Sequence, residues 1–218
     1  MTLSYIPSDT NDEGILKATA SGVLPNGKPV VVNSDGTVSV PSSDVFGTTV
    51  VFENANTSKE SATFDSNSNK VVIAYVDNGN SGHGTAIVGT VSGTSISFGS
   101  PTVFEASLNV ADTSITFDSN SNKVVISFSD TAAGNYGTAI VGTVSGTSIS
   151  FGTPTVFESA STSQISSTFD SNLNKVVIAY RDNGNSVYGT AIVGTVSSTS
   201  ISFGSATVFE SASIDNPA

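Results

Sequence analysis

Three copies of one polar motif carry the side chains in this chain best suited to hold a metal ion. Asp65, Asn67 and Asn69 recur as Asp118, Asn120 and Asn122, and again as Asp170, Asn172 and Asn174. Their oxygens stand at the first, third and fifth positions of a calcium loop. The sixth position, glycine in such loops, is Lys70, Lys123 or Lys175, which sets a positive charge beside the ion, and no acid stands at the twelfth. The same residues also read as a hairpin turn whose Asp and Asn side chains bond nearby backbone. Calcium is the one cofactor this leaves open; no other is expected.

A second set of residues could contact a ligand. The single histidine, His83, is replaced by Tyr136 and Tyr188 in the other copies. A position that accepts His or Tyr is not a catalytic base common to the copies. It suits a half-exposed ring at a loop end, or an aromatic platform for the face of a sugar. Arg181 occurs only in the third copy and joins this set; with Asp182 beside it, it reads equally as half of a surface ion pair. Asp77, Asp130 and Asp182 recur identically and read as loop-starting residues. Hydrolysis by paired carboxylates needs two acids in unequal environments, and nothing here separates two such acids. There is no Ser-His-Asp logic and no phosphate-binding glycine loop. The sialidase Asp-box is excluded with tryptophan, of which there is none. The chain is expected not to be an enzyme.

The elements that must position these residues are repeats. GTAIVGTVSGTSISFG at Gly84–Gly99 returns letter for letter at Gly137–Gly152, and at Gly189–Gly204 with Ser198 in place of Gly93 and Gly146. Offsets of 53 and 52 residues mean stacked supersecondary units. The serine suggests a turn that tolerates an ordinary residue. Each unit predicts four strands: a short one ending in Phe-Asp, then Lys70–Asp77, Thr85–Ser92 and Ser95–Glu105, the last broken near Pro101. The fourth strand has an additional copy, Phe46–Glu53, ahead of the first unit. In Lys70–Asp77 the residues Val71, Ile73 and Tyr75 face one way, and Val72, Ala74 and Val76 the other. Both faces are apolar, so each sheet should be sandwiched between neighbours. This predicts an all-β fold of three four-stranded antiparallel blade-like repeats of β-propeller type, with a β-trefoil or β-prism as the alternative. Three blades do not close a ring, so an obligate assembly is expected, a dimer or a trimer.

The predicted organisation is an N-terminal arm and small β module over residues 1–44, a leading strand 45–53, repeats 54–105, 106–158 and 159–210, and a tail 211–218. Within the module, residues 1–13 read as a polar arm. Ile15–Ala20, Pro29–Asn33 and Thr37–Val40 read as a three-stranded meander, with Pro25-Asn26-Gly27 as one turn and Ser34-Asp35-Gly36 as a type I′ hairpin. The segments Asn54–Thr63, Ala106–Thr116 and Ser159–Thr168 vary among the copies, as do loops 78–83, 131–136 and 183–188. Loops on a rigid scaffold carry recognition, though neutral drift would look the same.

Composition narrows the partners. Seven basic residues against a net charge of −11 give no basic patch, so nucleic acid is not an expected partner. Without cysteine there are no disulfides or thiolate metal sites. No window approaches a membrane span, and the first residues lack the pattern of a signal peptide, which predicts synthesis in a cytoplasm.

ATASGVLPNGKPVVVNSDGTVSV (Ala18–Val40) resembles the start of virion structural proteins of marine tailed phages, including those that infect cyanobacteria. The units built on FDSNSNKVVIAYVDNGN and GTAIVGTVSGTSISFG resemble repeats of tail-fibre-like virion surface proteins. The resemblance implies a component of the virion surface: a tail fibre, spike or head-decoration protein, anchored through its N-terminal module. Its implied partners are other virion proteins and host-surface glycans. A purely cementing role without ligand, or a secreted bacterial adhesin or lectin, are the alternatives.

Overall fold

The computed structural model describes residues 2–4, 17–24, 30–40, 47–106 and 110–212. The chain divides into two compact units, Met1–Gly47 and Thr48–Ala218. The turn expected at Pro25–Gly27, the linker at Pro41–Asp44, and most of the 211–218 tail lie outside the described residues.

The first unit is a four-stranded sheet of β1 (Thr2–Ser4), β2 (Lys17–Ala20), β3 (Val31–Val32) and β4 (Thr37–Ser39), in the order β1-β2-β4-β3. Two expectations are corrected here. Part of the presumed arm is a strand, because Thr2–Ser4 pairs antiparallel with Lys17–Thr19. The strands are not a meander, because β2 runs parallel to β4. Polar bonds hold that pair: Ser21 N donates to Val38 O at 2.9 Å, and Asn33 Nδ2 bridges to Ser21 Oγ and Thr37 Oγ1. The β3–β4 hairpin forms at the expected place, but its turn is not type I′. Within it only Gly36 has a positive φ, at 77°, while Gly36 N bonds Asn33 O. Asp35 instead accepts from the Thr37 hydroxyl and amide, and these bonds hold its carboxyl below the usual carboxylate range.

In the second unit each repeat folds as an antiparallel meander. The first repeat comprises β5 (Thr57–Asp65), β6 (Lys70–Asp77), β7 (His83–Ser92), β8 (Ser95–Phe98) and β9 (Thr102–Glu105). Both β8 and β9 pair with β7, so they are two halves of one outer strand, interrupted around Pro101. The second repeat comprises β10 (Val110–Asp118), β11 (Lys123–Asp130), β12 (Tyr136–Ser145), β13 (Ser148–Phe151) and the start of β14 (Thr155–Asp170). The rest of β14 opens the third repeat and leads to β15 (Lys175–Asp182), β16 (Tyr188–Ser197), β17 (Ser200–Phe203) and β18 (Thr207–Glu210). Because β14 runs unbroken from one repeat into the next, those two ladders join in a nine-stranded sheet, while the first repeat has a five-stranded sheet of its own. The protein is all-β, and among the described residues none of its sheets closes.

The variable segments are more regular than their sequences suggest. The parts from Thr57, from Val110 and from Ser159 onward lie in the first strand of their repeats and carry a bulge there, with Lys59, Asp112 and Gln164 in left-handed conformation at φ of 57°, 48° and 54°. A bulge absorbs one unpaired residue and lets the ladder resume.

Packing one repeat on the next buries both faces of the central strands in the second repeat, and one face each in the first and third. Val72, Ala74, Val76, Ala86 and Val88 of the first repeat form one cluster with Ile115, Val124, Ile126, Phe128, Ile140 and Ile149 of the second. The opposite face of the second repeat, Val125, Ala139 and Val141, forms another with Ile165, Val176, Ile178, Tyr180, Ile192 and Ile201 of the third. We call the face that meets the preceding repeat the leading face, and the other the trailing face. Phe104 reaches across the first junction to Phe128 and Phe151, with ring centroids 5.3 and 5.8 Å away. Phe157 repeats this at the second, on Tyr180 and Phe203 at 5.2 and 5.7 Å. Burial, with the Glu158 carboxylate beyond it, pushes the Tyr180 phenol above its ordinary range, so its hydroxyl donates to Glu158 Oε2 at 3.2 Å.

Ser127 stands in the trailing face of the second repeat where the other copies have Ala74 and Ala179. It is fully buried, and its hydroxyl has no hydrogen-bond partner among the described residues. An orphaned buried hydroxyl costs about 1–3 kcal/mol. Ser127→Ala is therefore expected to raise stability by about 1 kcal/mol; a thermal midpoint unchanged or lowered would count against this packing.

The turn holding Ser198 corrects the expectation drawn from sequence. Gly93 and Gly146 have φ of 59° and 61°, and Ser198 is held at 56°. The position demands left-handed backbone, and the serine bears a strain of about 1 kcal/mol. An added Cβ meets nothing within 4 Å at Gly93 or Gly146, so the strain is in the backbone alone. Ser198→Gly should stabilise the chain by about 1 kcal/mol, seen as a shifted urea midpoint at constant slope.

Candidate functional site

The meander sorts the connections of each repeat to opposite ends. The Asp-Ser-Asn-x-Asn turns and the turns at Gly93, Gly146 and Ser198, nearly identical in sequence, lie at one end. At the other lie the described starts of the first strands and the loop between the second and third strands, which vary among the copies. Backbone bonds tie these together: Asn78 N donates to Asn56 O at 3.0 Å, and Asn183 N to Ser161 O at 2.9 Å. They also join successive repeats, through Val110 N to Gly82 O at 3.0 Å and Thr162 N to Asn135 O at 2.8 Å.

Each loop begins at the recurring aspartate. Asp77 Oδ1 accepts from Asn80 N, Asp130 Oδ1 from Ala132 N and Ala133 N, and Asp182 Oδ1 from Gly184 N and Asn185 N. A carboxylate taking these amides organises the turn. At the far end of each loop stand the candidate ligand contacts. His83, Tyr136 and Tyr188 are the first residues of β7, β12 and β16, opposite Asp77, Asp130 and Asp182, and all three are half-buried. They occupy one equivalent place on each repeat, as a repeated row. Arg181 does not share a face with Tyr188. It pairs with Gly189 while Tyr188 pairs with Asp182, and successive strand residues point to opposite faces.

The metal-spaced motif makes a compact turn in every copy. Asp65 Oδ1 accepts from Asn67 N and Ser68 N, and Oδ2 from Ser68 Oγ at 2.6 Å. Asp118 does the same with Asn120 and Ser121. Asp170 takes the amides of Asn172 and Leu173. Asn69, Asn122 and Asn174 all have φ of 54°, a left-handed position that suits asparagine. The geometry accounts for each motif residue through the turn. Among the described residues no group of three His, Asp or Glu side chains is placed to hold a metal.

One set of residues was missed by sequence reasoning. Lys59, Asp112 and Gln164, the three bulge residues, meet across the repeats. Lys59 Nζ pairs with Asp112 Oδ1 at 3.1 Å, and Gln164 N donates to Asp112 Oδ2 at 3.2 Å. Next to them Thr113 Oγ1 donates to Lys59 O, Ile115 N to Ser61 Oγ, and Ser167 N to Ser114 Oγ. The signal was present in the offsets of 53 and 52 residues. It was hidden because these three positions carry different residues and fall in segments that vary among the copies.

No family model, no curated protein and no solved structure matches this chain.

Proposed function

We propose that this is a non-enzymatic structural protein of a virion exterior, a tail-fibre, spike or decoration component, whose repeats are blades of β-propeller type. The observation that carries the recognition part is the gathering, among the described residues, of the variable loops at one end of three nearly identical repeats. A scaffold that nearly copies its core strands while changing its loops has the form of a binding surface. The row of His83, Tyr136 and Tyr188 gives that end amphipathic rings suited to sugar faces, one per repeat, and repetition raises avidity without strong single contacts. The virion setting rests on the sequence resemblance of residues 18–40 and of the repeats.

Binding of the purified protein to an array of bacterial surface glycans tests the recognition part. Reproducible binding that weakens at least about tenfold in Tyr136→Ala and in Tyr188→Ala supports it. Binding to no glycan would leave the cementing role as the reading. Gold-labelled antibody against the protein, applied to intact particles, tests the location.

A further inference from the structure

The two junctions between the repeats are built alike, and the outer faces of the first and third repeats each present one half of a further junction. The trailing face of the third repeat repeats the buried faces of the first two, yet it is open. Val193 is 46 % exposed where Val141 is 1 % exposed, and Phe209 is 62 % exposed where Phe157 is 8 % exposed. The leading face of the first repeat likewise exposes Phe64 and Val91, whose counterparts Phe117, Val144, Phe169 and Val196 pack into the clusters.

We propose that a second copy of this chain docks the leading face of its first repeat on the trailing face of the third, continuing the internal register, with its residues 48–53 pairing along β16 in place of β18. This rests on the stacked-blade reading given above, and three observations choose this occupant.

The first is backbone fit. At the internal junctions Gly99 lies against the Thr147 carbonyl and Gly152 against the Thr199 carbonyl, so closely that a Cβ on either glycine would overlap the oxygen. Gly204 is the third of the series, and an added Cβ there meets only Val193 O, at 3.8 Å. In register, its partner is the Thr94 carbonyl of the second copy.

The second is charge. Val76 and Ser129 occupy one position of the internal trailing faces, and Thr113 and Ile165 one position of the internal leading faces; all four are buried and uncharged. On the open faces these positions are Arg181 and Glu60. Thr113 bonds Lys59 O, next to Ser58, the cross-strand partner of Val76. The same register sets Glu60 of the second copy beside Gln164, next to Ser163, the partner of Arg181. Opposite charges meet where the internal junctions have none.

The third is the surplus strand. There are four copies of the outer strand and three of every other element. Phe52 is already seated on Tyr75 and Phe98 at 5.1 and 6.0 Å, as Phe157 is on Tyr180 and Phe203. Phe209 of a docking copy would need that same seat. The conflict ends if residues 48–53 take the place of β18, whose four residues are all exposed. The path then matches β14, which passes from the outer strand of one repeat into the first strand of the next. Two copies so joined at both ends make six repeats, within the range of closed rings.

Sedimentation equilibrium of the full chain over a wide concentration range tests the pairing. Wild type is expected at two chains, and Gly204→Ala, whose Cβ makes only an ordinary contact with Val193 O in its own chain, is expected to weaken association at least about tenfold with an unchanged circular dichroism spectrum. The strand exchange is tested by Thr190→Cys with Val51→Cys, in a chain that has no other cysteine; oxidation should link two chains. Thr190→Cys with Val208→Cys, the pair now opposite in β16 and β18, should then link poorly within one chain. A single-chain mass at every concentration, or a two-chain mass that Gly204→Ala leaves intact, overturns the pairing. Cross-links formed only within one chain overturn the exchange. Glycan binding and particle labelling read out the proposed function independently of mass.

Discussion

Gly152→Ala is expected to destabilise the fold by about 3 kcal/mol or more, while the same change at Gly204 should cost under about 0.5 kcal/mol in the folding of one chain. The two glycines end identical sixteen-residue stretches apart from Ser198, so composition and local propensity predict equal effects. What differs is the neighbour. A methyl group on Gly152 would occupy the place of the Thr199 carbonyl oxygen of the next repeat. Backbone cannot swing aside as a side chain can, so the junction between repeats must open. Opening it exposes the cluster built on Val125, Ala139, Val141, Ile178 and Tyr180. Gly99→Ala should behave like Gly152→Ala, because it faces the Thr147 carbonyl in the same way. Urea unfolding of the three variants at one protein concentration checks this. Equal midpoints for Gly152→Ala and Gly204→Ala would mean that the repeats do not pack as described.

That contrast also marks how far the sequence could be read. Repeat offsets and two-sided apolar strands were legible because they rest on period two and on exact duplication. The face of Val72, Ala74 and Val76 is covered by the second repeat, whereas Val71 and Ile73, on the other face, are only half-buried. What escaped was set by tertiary contact. Thr2–Ser4 has no apolar pattern of its own and becomes a strand by pairing with β2. The parallel alignment of β2 with β4 depends on Ser21 and Asn33 bonding across the chain, which no local pattern announces. Ser198 was misread because a residue's presence does not show that its backbone is relaxed; strain of about 1 kcal/mol is readily carried by a fold this repetitive. The Lys59–Asp112–Gln164 row was invisible for a related reason. The bulge fixes the backbone at that position and leaves the side chain free to vary, so the copies share a conformation without sharing letters. At the loop end, the sequence supplied the variable segments and the His/Tyr position, and the meander supplied their common location.

Phe157→Ala is expected to cost about 3–5 kcal/mol, and Phe209→Ala under about 1 kcal/mol. Both rings lie over a glycine of the neighbouring strand, Gly137 and Gly189, where any Cβ would overlap the ring. Both follow the same Thr-Val and precede the same Glu. Phe157 is closed in from the far side by Tyr180 and Phe203, so its loss leaves a cavity among rigid rings and removes one wall of the junction. Gly137 cannot collapse into the gap, having no side chain to offer. Phe209 has the glycine beneath it and solvent above, and its truncation leaves no cavity. The measurement is the urea midpoint of each variant against wild type, with near-ultraviolet circular dichroism reporting the tyrosine environment. Phe157→Ala should also flatten the near-ultraviolet signal, because Tyr180 loses its ring neighbour. Comparable losses from both variants would place Phe209 at a buried junction within the single chain, and the open trailing face would then be misassigned.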